Sequence, residues 1–445
     1  MRAPYRSSYA LRAAGQRGQA MLLSVLLLGV GVSAIVFSFV TPAKTAIESD
    51  KKTAAALKQA RDALIGRAAA DQTIPGSLPC PDTDDDGSAE LFAGNQCPAY
   101  LGRLPWRTLG LPDLRDGSGE RLWYALSPNF RDDSSASPLN SDTAGQLAIT
   151  GITPAANVIA IIFAPGPVLG TQDRSTAASS LCSTTGTTIL NNRCPANYLE
   201  GENANGLPPT DITFTTGLPS AAFNDKLLAI TSDALFNVVI VRVAKEAIAA
   251  LEKYRGAPNN IGYYPYANPY GTVAPYSCSS GLFRGRFPTT PSGCGQADWP
   301  AGTLPAWFGI NNWSQVTHYA ISKGCAQLGL DPLVEGQLQS LCDLQGNMGS
   351  PMDAALASTL KILGISLTDE PLTVAGVTTH ARVLVVVTGR ALSVQVHPCA
   401  SAGQCLEDAA NTDGDANYVK PSRFPTSNDR MAMVCGSSFP CGVLP

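Results

Sequence analysis

The sequence predicts an α+β fold. It reads as an N-terminal transmembrane helix continuing into a stalk helix, followed by two tandem modules, each a helix packed on an antiparallel sheet and braced by disulfides. Three observations predict this. An apolar run from Met21 to Val40 follows four arginines, a helix–loop–strand pattern occurs twice, and twelve cysteines fall into sequential pairs.

Arg2, Arg6, Arg12 and Arg17 precede the apolar run, and the first acidic residue is Glu48. A helix needs about 20 apolar residues to cross the hydrocarbon core of a membrane. An arginine excess keeps its own side cytoplasmic. Residues 1–18 therefore read as a leader and 19–41 as a membrane-spanning helix. The expected location is a bacterial inner membrane crossed once, with the N-terminus cytoplasmic and the rest periplasmic. Removing residues 1–18, with their four arginines and no acid, takes the formal charge from −4 to −8. An acidic chain lacks the Lys/Arg footprint that neutralises phosphates, so no nucleic-acid partner is expected.

The part beyond Pro42 reads as two modules, 42–230 and 231–445. Thr45 to Ala70 is rich in Ala, Lys and Leu, with Ile47, Ala54, Leu57 and Leu64 on one predicted helix face. Thr231 or Ser232 caps a second predicted helix, whose Leu235, Val239, Val243 and Leu251 share a face. Several later segments answer one another in the same order. Leu104-Pro105-Trp106 answers Leu304-Pro305-Ala306-Trp307, and Arg121–Ser127 answers Gln315–Ser322. The apolar runs Val158–Phe163 and Val383–Val387 read as buried strands. Tyr198-Leu199-Glu200 with Asn203 and Asn205 answers Cys405-Leu406-Glu407 with Asn411, and Asn224-Asp225-Lys226 answers Asn428-Asp429-Arg430.

An even cysteine count in an oxidising compartment reads as disulfides. Spacing and the duplication favour neighbour pairing: Cys80/Cys97, Cys182/Cys194, Cys278/Cys294, Cys325/Cys342, Cys399/Cys405 and Cys435/Cys441. A zinc site is not expected. No C-x-x-C occurs, and His318, His380 and His397 stand apart from any ligand spacing.

Asp82-Thr83-Asp84-Asp85-Asp86-Gly87 matches the opening of a calcium loop, with carboxylates first, third and fifth and glycine sixth. Ala93 stands where a twelfth-position Glu belongs, leaving Glu90 at the ninth position as the substitute ligand. The candidate calcium ligands are thus Asp82, Asp84, Asp86 and Glu90. The competing reading is a solvated acidic turn locked by Cys80/Cys97. Asn411-Thr412-Asp413-Gly414-Asp415 is a shorter relative.

No catalytic residue is expected, since nucleophile-elbow, zincin and phosphate-loop motifs are missing. His318 reads as a cross-strand partner, and His380 and His397 as surface residues at strand ends. Asp225 and Asp429 read as parts of an Asn-Asp turn entering a last strand, with a carboxylate role as the alternative. The aromatic stretch Tyr263–Tyr276 reads as a candidate recognition surface, or else as pins holding loops onto the sheet.

Gly18, placed directly before the apolar run, resembles the end of a prepilin leader, which a peptidase removes while leaving the helix attached. Asp116-Gly117-Ser118-Gly119-Glu120-Arg121-Leu122-Trp123-Tyr124 is similar to the Asp-Pro-Trp-Gly-x-x-(Leu/Pro)-x-Tyr segment of type II secretion pseudopilins. The resemblance to type IV pilins and pseudopilins implies cleavage between Gly18 and Gln19. An uncut anchor and an ordinary signal peptide are the other readings of the start. The resemblance also implies a prepilin peptidase, inner-membrane assembly machinery and other pilin or pseudopilin subunits as partners. It implies a non-enzymatic, structural role, with calcium as the one cofactor that related proteins suggest. The chain departs from the family at Leu23, where a Glu is usual as fifth mature residue. That departure points to a minor or tip-type subunit. The alternative is an inner-membrane-anchored periplasmic or surface binding protein, adhesin-like, that does not assemble.

Overall fold

The structure is a computed structural model. It describes residues 44–444 except 134–137, 206–207, 209–211, 261, 272–280, 295, 327–341, 343–371, 379, 393–394, 423–426 and 436–441.

The chain opens with helix α1, residues 44–70. Its buried stripe is Thr53, Ala56, Leu57, Ala60, Leu64 and Ala68, the three-and-four spacing of one helix face. Ile47 and Ala54, expected on that face, are exposed. The helix ends at Asp71, whose Oδ1 accepts from the backbone N–H groups of Thr73 at 2.8 Å and Ile74 at 2.7 Å. The other oxygen of Asp71 pairs with Arg67 at 2.6 Å.

Four strands follow in antiparallel order: β1 (Leu101–Arg103), β2 (Trp123–Leu126), β4 (Ala155–Ala164) and β6 (Lys226–Thr231). β3 (Leu147–Gly151) pairs with the first half of β4, and β5 (Thr213–Thr216) runs parallel beside β3. Helix α2 (Ser232–Arg255) leaves β6 directly. Thr231 caps it by accepting from the Ala234 N–H, Asp233 lies in the first turn, and Lys253 and Arg255 lie in the last. These charges complement the helix dipole at both ends.

A second sheet repeats the order β7-β8-β10-β12, antiparallel throughout: β7 (Arg284–Arg286), β8 (Thr317–Ile321), β10 (Val383–Val387) and β12 (Arg430–Val434). It too has a parallel accessory pair, β9 (Thr373–Val374) with β11 (Asn417–Tyr418). The mutually answering segments Arg121–Ser127 and Gln315–Ser322 contain β2 and β8. Val158–Phe163 and Val383–Val387 fall on β4 and β10, and the two Asn-Asp pairs directly precede β6 and β12.

Both central strands are buried on both faces, which is why they read as continuous apolar runs. In β4, Ala160, Ile162 and Ala164 face the helices, while Ile161 and Phe163 face a second cluster with Trp123, Tyr198 and Phe214. In β10, Val383, Val385 and Val387 face the helices, while Leu384 and Val386 face Leu372, Val374, Leu406 and Tyr418. The helix-side core is continuous across both sheets. It runs from Leu57 and Leu64 through Leu235, Phe236, Val239 and Ile240 to Trp313, Tyr319 and Val385. Each fully buried large apolar side chain contributes about 1.5–3 kcal/mol, so α2, with apolar residues on both sides of that core, is its central element.

The membrane-spanning part of the expected fold requires correction. Among the described residues no helix is long and apolar enough to cross a membrane. Lysines, arginines and acids are spread along α1 and α2, and burying such charges in hydrocarbon is costly. This finding overturns the transmembrane, single-pass and inner-membrane expectations. The run 19–41 on which they rested, with the leader 1–18 and the Gly18/Gln19 cleavage site, lies outside the described residues. What the structure shows is mixed α+β content with several disulfides.

Candidate functional site

Four disulfides are described, each between sequence neighbours: Cys80–Cys97, Cys182–Cys194, Cys325–Cys342 and Cys399–Cys405. Each of the two other expected bridges has one cysteine outside the described residues. Cys294 closes the short turn Pro291–Cys294, but its expected partner Cys278 lies outside the described residues. Cys435 is disulfide-bonded, and its expected partner Cys441 lies outside the described residues.

The first disulfide closes the acidic loop. Asp82 is buried, its Oδ1 accepting from Asp85 N–H and its Oδ2 from Gly87 N–H, both at 2.7 Å. Burial raises its carboxyl to about 6 against those two hydrogen bonds, and the charges of Asp85 and Asp84 add to the rise. Asp84 and Asp86 are exposed beside it, and one carboxylate oxygen from each of the three lies within 4.8 Å of the others. Glu90 is not among them: its Oε1 accepts from Thr83 N–H at 3.0 Å and Thr83 Oγ1 at 2.5 Å. The loop therefore brings together Asp82, Asp84 and Asp86 and uses Glu90 as a brace. Arg121 clamps its far side, donating from Nη1 to Asp85 Oδ1 at 2.9 Å while its Nε reaches Asp113 at 2.9 Å.

Gly87 holds φ +89°, and a Cβ there would lie 2.6 Å from the Trp106 ring. Gly87→Ala is expected to cost at least about 2 kcal/mol, combining left-handed strain with overpacking. Chemical denaturation would measure it, and an unchanged midpoint would contradict this geometry.

The shorter acidic turn is a different object. Asp413 accepts from Asp415 N–H at 3.0 Å and Asp415 from Asn417 N–H at 2.7 Å. Asn411 is withdrawn into hydrogen bonds with the Val419 backbone, at 2.8 and 3.1 Å.

A second constellation is built twice. Before β6, Asp225 accepts through Oδ2 from Glu200 N–H at 2.9 Å and Asn203 Nδ2 at 3.0 Å. Glu200 Oε2 in turn accepts from the N–H groups of Asn224 and Asp225, at 3.0 and 3.2 Å. Burial pushes the Asp225 carboxyl up to about 8, and the adjacent Glu200 carboxylate reinforces it. Before β12, Asp429 meets Glu407 in the same way, and burial together with the Glu407 carboxyl drives it far above the ordinary carboxylate range. Ser427 Oγ donates to Glu407 Oε2 at 2.8 Å. In both places burial and the neighbouring carboxyl favour the protonated form of the aspartate. Asn203 ties the first latch to the Thr215 backbone in β5, and Asn411, at the matching place in the second half, bonds the Val419 backbone after β11.

Two of the histidines, His318 and His397, are enclosed by their neighbours. His318 in β8 is fully enclosed, which lowers its pKa to about 3; it contacts Tyr270 through Nδ1 and Tyr418 Oη at 3.1 Å. His397 is not a surface residue. Its side chain is 2% exposed and its Nδ1 pairs with Asp142 at 2.7 Å, joining the two sheets' loops together with the Arg390–Asp233 pair at 2.8 Å. His380 is half-buried. The expected aromatic recognition surface is instead core at Tyr263, Tyr264 and Tyr266, while residues 272–276 lie outside the described residues.

Arg103, which no motif singles out, is buried between the rings of Trp123 at 4.4 Å and Tyr198 at 4.0 Å. Its only sequence signal is an arginine inside an apolar strand. Comparison with protein-family models finds no match, and comparisons with curated proteins and with solved structures find none either.

Proposed function

We propose that this chain is a structural subunit that works by assembly, a minor or tip-type component of a type IV pilus or type II secretion-related filament. The observation that supports this reading most is the repeated unit of a long helix laid over a four-stranded antiparallel sheet. The pseudopilin-like segment Asp116–Tyr124 agrees with it, since it leads into β2 at the heart of the first sheet. Buried polar groups go into latches and clamps that stiffen the unit, as an assembling part requires.

The reading includes processing after Gly18 by a prepilin peptidase. Co-expression with such a peptidase should give a mature protein starting at Gln19, and Gly18→Trp should abolish the cut. Identical N-termini with and without the peptidase would contradict it.

The same proposal assigns the loop Asp82–Gly87 a calcium ion, a hard cation suited to three convergent carboxylates. Calcium at 100 times its Kd should stabilise the protein by about 2.7 kcal/mol. Asp84→Ala should remove that thermal shift while leaving the calcium-free Tm nearly unchanged. A wild-type protein whose Tm ignores calcium would leave the loop as a solvated acidic turn.

A further inference from the structure

The two sheets end differently. In the second, the outer edge of β12 is covered by the segment Gly442–Leu444. Met433 N–H donates to Gly442 O at 3.2 Å, Leu444 N–H donates to Met431 O at 2.8 Å, and Val443 bridges Ala432 in antiparallel sense. Val443 packs on the helix-side core and Leu444 on the opposite cluster, so the added strand is apolar on both faces.

β6 occupies the equivalent position. Lys226 opens its ladder opposite Ala164, as Arg430 opens that of β12 opposite Val387. Leu227 and Ala229 correspond to Met431 and Met433, so their backbone groups face outward. Among the described residues β4 alone pairs with β6, and no other backbone hydrogen bond reaches Lys226–Ile230. Leu227, Leu228 and Ala229 are only half-buried, with Leu228 against the helix-side core and Leu227 and Ala229 against the opposite cluster. The strand carries no guard of its own: it has no proline, and its one charge, Lys226, is held by Asp50 at 2.5 Å. Open edges of this kind are templates for another chain.

We propose that the outer edge of β6 is a docking surface for an extended, uncharged, apolar strand of a different subunit. That strand lies antiparallel to β6, in the manner of Gly442–Leu444 on β12. Backbone hydrogen bonds to Leu227 and Ala229 hold it, and side chains alternating onto the two flanking apolar clusters select it. A second copy does not donate its own Gly442–Leu444, because that segment is engaged on its own β12. The inference rests on the assembly reading for the donor, another subunit. The edge itself is tested without any filament.

The probe is an acetylated peptide, SFPSGVLP, which is residues 438–445 with serine for Cys441. Hydrogen exchange of the full-length protein should show the Ala229 amide exchanging much faster than that of Met433, and at least about tenfold slower when peptide saturates. Ala229→Pro removes an outward N–H that an edge strand can spare, so it should abolish peptide binding and shift Tm by less than about 3 °C. Ala229→Lys, which keeps the N–H but places a charge at the edge, should weaken binding and covers the case in which the proline variant misfolds. An Ala229 amide already as protected as that of Met433 would mean that this chain covers its own edge, and overturns the proposal. So would a wild-type dimer made monomeric by Ala229→Pro or Ala229→Lys, which assigns the edge to a second copy, or peptide bound equally by both variants. Failure of the peptide leaves filament incorporation to be judged separately.

Discussion

Asp225→Asn is expected to stabilise the protein at pH 8 and to stabilise it several-fold less at pH 5. Asp225 holds its proton up to about 8 in the fold, because it is buried against Glu200. The unfolded chain releases the same proton near pH 4. Between those values the native state binds more protons than the unfolded state, so stability is fullest below about pH 4 and is lost as pH rises through 8. For one proton retained over that window the loss is on the order of 5 kcal/mol. Asparagine has the shape of the protonated acid: its oxygen keeps the bonds from Glu200 N–H and Asn203 Nδ2, and its uncharged amide replaces the buried Oδ1. The groups around Asp225 are Glu200 and Asn203, with Gln172 donating to Glu200 at 2.8 Å, while neighbouring Lys226 is drawn away to Asp50. Among the described residues no cationic side chain neutralises the pair. Asp429→Asn should act in the same direction through Glu407. Urea denaturation at pH 5, 6.5 and 8 would measure both. A wild-type stability that rises with pH across this range, or a variant with the same slope as wild type, would contradict a protonated aspartate in these latches.

Phe236→Ala should cost about 3–5 kcal/mol, the range for removing a buried aromatic ring, and should divide one unfolding transition into two. Phe236 sits on the first turns of α2, 2% exposed, with Phe130 of the first half at 6.1 Å between ring centroids and Trp313 of the second at 6.2 Å. A Cβ on Gly76 would meet its ring at 3.3 Å, so little slack exists to refill the cavity. Calorimetry gives the result directly. Wild type should melt as one cooperative unit, because a single apolar cluster joins both sheets. A variant that keeps one transition with a Tm within about 2 °C of wild type would show that the junction does not couple the halves.

The parts legible in the sequence were those with strong local signals. Val158–Phe163 and Val383–Val387 are unbroken apolar runs because helices cover one face and loops the other, so no alternation could appear. The α2 face was readable from Leu235, Val239, Val243 and Leu251, all buried. The α1 face was legible at Leu57 and Leu64, both buried, but not elsewhere, since the rest of the stripe is mostly alanine and Ile47 points to solvent. The accessory strands were invisible: β9 and β11 have two residues each, too few for any period.

At the candidate sites, spacing brought Asp82, Asp84 and Asp86 together but could not foresee that Glu90 turns to Thr83. The recurrence of Glu200 with Asp225 and of Glu407 with Asp429 was present as matching letters. The raised aspartate carboxyls were not, because they depend on burial that only the packed fold creates. His397 and Asp142 are 255 residues apart, and no local pattern links them.

The central claim, that this chain acts by assembling, is tested most directly by locating it in cells that make the corresponding filament. Filaments sheared from the surface and purified should contain the protein at low stoichiometry relative to the major subunit, with immunogold label at filament ends. Its absence from sheared filaments, with all of it remaining in the cell fraction, would contradict the account.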